Sequence, residues 1–372
     1  MPSLLQNLLV DLKRRGQCVL DEVTTLQNLP ASFDTHRNTV LSWLTRALQR
    51  VEQLLKDPDL SDPKLEPNFF MDFKRLSELI LNIEDTSLLI LKRCSADDYF
   101  LSALLKQICR EVGYKDSPPL CGALSFQYFQ ALVGIDIIMT PQAQASELLA
   151  LPDLYHELAH FVLLRRRKEF ELPLLGLIHK YFLNAIRKAK QQGLSAASLD
   201  AIRENYTFWT ASWVIEFACD MVATYWCGPA YGWANLRLSA TRGDPYQDGP
   251  THPADDARRE GIASLLRLTG GSAAAKEIDL SWKELKRLSP SSEPPGYAKR
   301  YPTRLLERLA ECVYDACEQS GFRGFAEQEK REDAFVSRTV SAAWQAFQHD
   351  AGEFPTFESS TIEQLKNQIL PA

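Results

Sequence analysis

Helical periodicity is the feature that most limits how this chain of 372 residues can fold. Apolar residues recur at three- and four-residue steps, and clusters of proline and glycine interrupt these stretches. The clearest stripe on one long helix consists of Leu41, Leu44, Leu48, Val51 and Leu55. A stripe of this kind is typical of a helix that buries one face. The sequence therefore predicts a mainly α fold.

Proline-rich stretches mark the ends of the predicted helices. The three prolines within residues 57–67 end the first long helix, because proline cannot continue it. A second helix begins at Ser95, in a sequence that resembles a capping box, and continues to about Val112. The segment 114–122 is a candidate boundary. We expect an N-terminal all-α module over 1–120, a central domain over 121–270 and a C-terminal helical module over 271–372.

One stretch of the central region predicts a strand and hence a small β-sheet. Residues 132–141 are rich in β-branched side chains, and a proline closes them. Helices are predicted from about Ser146, over 166–192 and over 198–227, and a polar loop is predicted over 241–256.

Composition excludes several classes of function. Forty-two basic and forty-eight acidic residues give a net charge of −6, so we expect no nucleic-acid partner. No run of about eighteen uncharged apolar residues occurs, so we expect no membrane span. The N-terminal residues do not resemble a secretory signal. Eight scattered cysteines without a CxxC pair favour a reducing compartment, and we expect a cytoplasmic protein without disulfides.

The motif His156-Glu157-Leu158-Ala159-His160 carries the clearest chemistry. The i, i+4 spacing places both imidazoles on one face of a helix, where they can bind a single metal ion. Glu157 lies beside the first histidine and can take a proton from water at the metal. The sequence therefore predicts a zinc site with a general base.

A catalytic zinc ion needs a third protein ligand, and the sequence offers two candidates for that position. Leu163 and Arg166 occupy the positions where a metzincin would have glycine and histidine, so that class is excluded. His179 follows at a spacing that some zincins use. Glu216 is favoured, because its helix is apolar on nearly all sides and a buried carboxylate needs a partner. Asp220, one turn later, would hold the free N–H of a ligating histidine.

A third motif lies in the polar loop. His252 precedes a proline that fits the first turn of the next helix, and Arg258 follows six residues later. A histidine over the metal can donate a hydrogen bond to the oxyanion of a tetrahedral intermediate. The alternative is a surface histidine at the start of a helix.

Together, HExxH, a distant ExxxD and HP-x4-R resemble the gluzincin metallopeptidases of the HtpX and CAAX prenyl protease type. The match covers residues 132–258. The resemblance implies zinc ligands His156, His160 and Glu216, the base Glu157, a supporting carboxylate Asp220, and His252 with Arg258 beside the intermediate. It also implies that the strand at 132–141 is a sheet edge that pairs with an extended substrate. Many members are embedded in membranes, whereas this sequence predicts no membrane span, so we do not carry over membrane or prenyl-protein substrates from the resemblance.

These observations favour a zinc-dependent endopeptidase that acts on a protein or peptide. Its fold would be mainly α, with a zincin-like catalytic domain and small β-sheet at 121–270 between helical modules. The N-terminal helices are a candidate surface for a regulatory partner. One alternative is a regulatory or scaffolding helical protein with a structural or vestigial zinc site, and another is a zinc hydrolase that acts on a small amide. The tyrosines at 225, 231 and 246 flank the motifs, and packing in the core is their simplest interpretation.

Overall fold

The structure, a computed structural model, describes residues 4–125, 128–142 and 147–370. The chain is mainly α with a small three-stranded mixed sheet, which confirms the predicted fold class. Two compact units are present: Met1–Leu105 with Pro118–Ala145, and Lys106–Ser117 with Ser146–Ala372. The three modules predicted from the sequence stay a prediction.

The first unit is built from long amphipathic helices. Their bounds are α1 Leu4–Thr25, α2 Ala31–Lys56, α3 Glu66–Asn82, α4 Leu89–Arg93 and α5 Ala96–Val112, the last of which continues into the second unit. The predicted stripe lies on α2, which ends just before the proline-rich segment. The backbone N–H of Asp98 donates to Ser95 Oγ at 3.1 Å, and that of Ser95 donates to Asp98 Oδ2 at 3.1 Å. The predicted capping box is therefore confirmed.

The sheet of the first unit contains β1 Leu120–Ser125, β2 Gln130–Leu132 and β3 Ile137–Pro141. The order is β1-β3-β2, with β3 parallel to β1 and antiparallel to β2. The single strand predicted at 132–141 is wrong, because a 3₁₀ turn at Val133–Ile135 and a left-handed Asp136 (φ 53°) divide it. The predicted sheet edge is also wrong, because β3 is paired on both sides.

The second unit contains the helices that carry the predicted motifs. Their bounds are α6 Pro152–Arg165, α7 Glu171–Gln191, α8 Ala196–Phe208, α9 Val214–Cys227, α10 Pro229–Arg242, α11 Asp255–Leu268, α12 Ser272–Leu288, α13 Tyr297–Arg300, α14 Thr303–Gln319, α15 Phe325–Gln328, α16 Phe335–His349 and α17 Phe354–Ile369. Ser146, the predicted start of a helix, lies outside the described residues. The helix predicted at 198–227 is α8 and α9, joined by a π-turn at Trp209–Trp213.

The centre of the second unit is α9, which packs along α6, α11 and α14. Every residue of α9 except Ile215 is buried, as the apolar sequence predicts. The helix ends at Gly228, whose φ of 59° and ψ of −138° lie in a region open mainly to glycine. A Cβ atom there would also lie 2.6 Å from the ring of Phe325. The chain therefore turns directly into α10, whose first turn carries Tyr231.

Candidate metal centre

Helix α6 brings the two motif histidines together in the interior. Pro152 starts the helix in its first turn, and the i, i+4 spacing sets the rings of His156 and His160 at 5.1 Å between centroids. His156 and Glu157 are buried, and His160 is partly exposed. One ligand atom from each of these three residues lies within 4.8 Å of the others, so the group could hold a metal ion.

Helix α9 places Glu216 opposite the two histidines. Glu216 Oε2 lies 3.4 Å from His156 Nε2, and Glu216 Oε1 lies 3.8 Å from His160 Nε2. The carboxylate is buried, as the apolar surroundings of this helix predict. The structure thus brings the carboxylate of Glu216 to the nitrogen atoms that the sequence names as ligands.

Asp220, one turn after Glu216, contacts the far side of His156. Its Oδ1 lies 2.9 Å from His156 Nδ1. Arg258 donates to the same carboxylate twice, from Nε to Oδ2 at 2.8 Å and from Nη2 to Oδ1 at 2.6 Å. A carboxylate at Nδ1 keeps the proton on that nitrogen and leaves Nε2 for a metal ion. The contacts of Asp220 therefore suit the supporting role predicted for it.

Tyr231 is a fourth member of this group, and the sequence interpretation placed it in the core. Its hydroxyl donates to Asp220 Oδ1 at 2.5 Å and lies 2.9 Å from His156 Nδ1. The rings of Tyr231 and His156 are nearly parallel, at 8°. The only sequence signal is its position three residues after the glycine that ends α9.

His252 approaches the centre from the loop between α10 and α11. Its Nε2 lies 3.6 Å from Glu216 Oε2, and its Nδ1 lies 2.9 Å from Thr251 Oγ1. The side chain is 55% exposed, unlike the other residues of the centre. Three imidazoles therefore surround one carboxylate, with the most exposed of them on the solvent side.

Burial opposes a charge on every group here, and the contacts decide which groups keep one. Burial lowers the pKa of His156, but its contacts with the carboxylates of Asp220 and Glu216 outweigh this effect and raise it to about 10. Burial raises the pKa of Glu216, but the contact with His156 outweighs it and lowers the pKa to about 2. Burial lowers the pKa of His160 to about 4. The centre thus pairs an imidazolium with carboxylates beside one neutral imidazole.

The donor atoms of this centre could hold a metal ion. Glu216 Oε2 is buried and makes no hydrogen bond, and the atoms described near it are the imidazole nitrogens of His156 and His252 at 3.4 and 3.6 Å. Two imidazole nitrogens and one carboxylate oxygen are a ligand set that catalytic zinc sites use. A cation at this point would satisfy the unpartnered oxygen.

Comparison with known proteins adds no family. No family model matches the chain, and neither a curated protein nor a solved structure matches it. Within the described ranges, no helix is both long enough and apolar enough to cross a membrane. Any functional conclusion therefore depends on the geometry of the centre and on the motifs.

His179, the other candidate ligand, has a different environment. It lies on α7, is exposed, and its Nδ1 is 3.0 Å from the hydroxyl of Tyr206 on α8. The contacts described for it join two helices and involve no ligand candidate. The structure places Glu216, and not His179, beside the nitrogen atoms of His156 and His160.

Proposed function

We propose that this chain is a zinc-dependent metallopeptidase that hydrolyses peptide bonds. The observation that carries the proposal is the convergence of Nε2 of His156 and of His160 on the buried carboxylate of Glu216, at 3.4 and 3.8 Å. The resemblance of the three motifs to the HtpX and CAAX prenyl protease type supports the same conclusion. His156, His160 and Glu216 would hold the metal.

Each neighbouring group has a task in peptide hydrolysis. The chemistry that zinc supplies in such a site is Lewis-acid polarisation of a carbonyl and a lowered pKa of water. Glu157 accepts the proton of the attacking water and later donates it to the leaving amine. His252, on the solvent side, donates a hydrogen bond to the oxyanion that develops on the carbonyl oxygen.

The residues behind the ligands keep the centre ordered. Asp220 orients His156, and Arg258 and Tyr231 fix Asp220 in turn. All of these contacts are buried, so water does not compete for them. Preorganisation of this kind maintains the ligand geometry between turnovers.

Substrate, partner and compartment are further parts of the proposal. A half-exposed His252 leaves the centre open to a chain that arrives from solvent, so we propose a protein or peptide substrate. The scattered cysteines favour a cytoplasmic location. The long helices of the first unit are the surface that we assign to a regulatory partner.

A second function is favoured by one observation, the position of His252. Its Nε2 lies 3.6 Å from Glu216 Oε2, close enough for a fourth protein ligand to complete the coordination of the metal. Zinc sites with four protein ligands are structural, because they leave no position for water. In that case the chain would be a regulatory or scaffolding protein with a structural zinc ion.

Elemental analysis of the purified protein tests the metal and its ligands. We expect about one zinc ion per chain in the wild type and in His179→Ala, and little zinc in Glu216→Ala. His179→Ala is the matched control, since it removes the other candidate ligand. A folded wild type that binds no zinc after reloading would overturn the proposal.

Cobalt substitution separates the two functions. The visible spectrum of Co²⁺ responds to the number and geometry of its ligands. A peptidase centre with an open position should change its spectrum when a small hydroxamate is added. A centre closed by His252 should keep its spectrum, and His252→Ala should then make it respond.

A further inference from the structure

The loop that carries His252 has little structure of its own. It spans residues 243–254 between α10 and α11 and includes three prolines. Inside it, the backbone N–H of Gly249 donates to the carbonyl of His252 at 2.9 Å. The His252 side chain is 55% exposed, so burial does not fix it either. Apart from the 2.9 Å contact of its Nδ1 with Thr251 Oγ1, the position of this imidazole therefore depends on contacts of the loop with other elements.

Tyr301 joins the two sides of the loop. Its hydroxyl donates to Asp248 Oδ2 at 2.8 Å and accepts from the backbone N–H of Ala254 at 3.2 Å. These two residues flank His252 along the chain. Tyr301 is only 4% exposed, so both hydrogen bonds are shielded from water. One buried hydroxyl thus fixes the loop before and after the histidine.

Trp213 holds the same loop from the side of the metal centre. Its indole N–H donates to the carbonyl of Gly249 at 2.9 Å, and its ring stacks on Tyr301 with centroids 5.1 Å apart. Trp213 is the last residue of the π-turn that leads into α9, three residues before Glu216. Single π-turns in helices are frequent at functional sites. The turn that leads to Glu216 therefore also contacts, through the Trp213 side chain, the loop that carries His252.

We infer that Tyr301 and Trp213 are positioning residues that hold His252 against the metal centre. This role rests on the proposed function, because it assigns His252 a place beside a bound metal. Tyr301 lies beyond Arg258, the last residue of the motifs that carry the resemblance. The two aromatic side chains keep His252 Nε2 near Glu216 Oε2 by fixing the loop around it.

Hydrogen exchange of the loop tests the first step. In Tyr301→Phe we expect the amide of Gly249 to exchange at least about tenfold faster. Gly249 N–H does not bond Tyr301, so its faster exchange reports opening of the loop rather than the loss of an acceptor. Asp248→Ala removes one of the two bonds from the loop side and should act in the same direction.

Tyr225→Phe is the matched control for these variants. It removes a hydroxyl that bonds Glu318 at 2.5 Å and the carbonyl of Phe322 at 3.2 Å in the same unit. The loop should exchange as in the wild type. Unchanged exchange in both Tyr301→Phe and Asp248→Ala would overturn the inference, and so would equal acceleration in Tyr225→Phe.

The cobalt spectrum of the intact protein tests the second step, action through His252. Tyr301→Phe and Trp213→Phe should each change the spectrum of the Co²⁺-loaded protein with a hydroxamate bound, because a displaced His252 no longer donates a hydrogen bond to the oxygen of that ligand. In a His252→Ala background the same substitutions should have no further effect, because the group that they position is absent. A spectral change that persists without His252 would contradict the inference.

Turnover, where a peptide substrate has been found, adds a third readout. Tyr301→Phe should lower kcat about tenfold to a hundredfold and leave KM within about twofold, because a displaced His252 loses contact mainly with the transition state. A wild type that binds cobalt but cleaves no peptide contradicts the proposed peptidase alone. The exchange and cobalt results then still decide whether Tyr301 positions His252.

Discussion

Three helices share the carboxylate of Asp220. His156 on α6, Tyr231 on α10 and Arg258 on α11 all contact it, and none of its surface is exposed. Burial alone would raise the pKa of Asp220, but Arg258 and His156 hold it well below its usual range. Arg258 balances the buried negative charge of Asp220. Removal of this guanidinium would leave a charge that strongly destabilises the fold. The orientation of His156 thus depends on Arg258.

We therefore predict a large loss of stability in Arg258→Ala. The substitution leaves Asp220 buried and charged without its guanidinium partner, so the free energy of unfolding should fall by about 3–5 kcal/mol. Urea unfolding of the metal-free protein measures the change. Arg167→Ala is the control, because it breaks an ion pair between Arg167 and Glu171 on the surface and should cost less than about 1 kcal/mol. Equal losses in the two variants would contradict the prediction.

Glu157 is predicted to act in turnover without holding the metal. Glu157→Gln should keep zinc at the wild-type level, because its neighbours supply the three ligands. Peptide hydrolysis should fall by about 10²–10⁴-fold, since an amide cannot accept the proton from water. Zinc content and kcat, measured on the same preparation, check both parts. Glu169, an exposed residue that follows α6, provides the control. Glu169→Gln should change neither zinc content nor kcat. Retained turnover in Glu157→Gln would exclude this residue as the base.

Short spacings explain which site residues could be predicted. HELAH, and likewise Glu216 with Asp220, place side chains one helical turn apart, and the sequence alone fixes that geometry. Tyr231 could not be found in this way. Its hydroxyl reaches Asp220 because Gly228 reverses the chain, and no pattern distinguishes this tyrosine from one that packs in the core. Trp213 and its contact with the loop depend on tertiary structure in the same way.

At the scale of elements, apolar periodicity predicts the helices well and their irregularities poorly. The continuous pattern over 198–227 gives no sign of the π-turn at Trp209–Trp213, because one extra residue barely shifts the apolar stripe. Residues 132–141 resemble one strand because nearly all of them are apolar. Gly134 and Asp136 are the turn signals within that run, and Asp136 takes the left-handed conformation that Asp tolerates.

His36 on α2 gives the first unit a predictable dependence on pH. It is buried, its Nε2 lies 3.3 Å from Ser87 Oγ in the π-turn at Ile83–Leu88, and its ring meets Trp43 edge-on. Burial lowers the pKa of His36 from 6.5 to about 4. The folded chain therefore resists its protonation. The stability that His36 contributes is present above pH 6.5 and is lost as the pH falls from there through about 4.

Between pH 7 and pH 5 the wild type should lose about 2 kcal/mol of unfolding free energy more than His36→Gln. Urea unfolding of both proteins at the two pH values measures this difference. The difference between the changes in the two proteins excludes the contribution of the other titratable groups, because both proteins contain them. His179→Gln, which replaces an exposed histidine, should lose as much as the wild type. The same pH dependence in His36→Gln and the wild type would show that the fold does not lower the pKa of His36.

At the scale of the whole molecule, the proposed ligands and the residues that position them all lie in the second unit. They come from α6, α9, α10 and α11, from the loop before α11, and from Tyr301 beyond it. Local breaks in the sequence predict where a helix ends, but not which helices share a core. Helix α5 is an example. Its sequence contains no break, yet its residues up to Leu105 belong to the first unit and those from Lys106 to the second. A metal ion at this centre would link elements that are distant in sequence.

Zinc should therefore stabilise the second unit more than the first. At a free zinc concentration about a thousandfold above Kd, binding adds about 4 kcal/mol to the unfolding free energy. For a unit of this size that raises the thermal midpoint by roughly 8–16 °C. Calorimetry with zinc and with EDTA measures the shift, and hydrogen exchange locates it. Protection should increase in α6 and α9, while α2 of the first unit stays as it was.

Glu216→Ala is the control for this experiment, because it keeps the helices but removes one ligand. Its thermal midpoint should be the same with zinc and with EDTA. If zinc stabilises Glu216→Ala as strongly as it stabilises the wild type, the zinc binds elsewhere. The centre between α6 and α9 would then not be the zinc site. Protection that rises equally in α2 and α9 would mean that the metal acts on both units, against a site confined to the second.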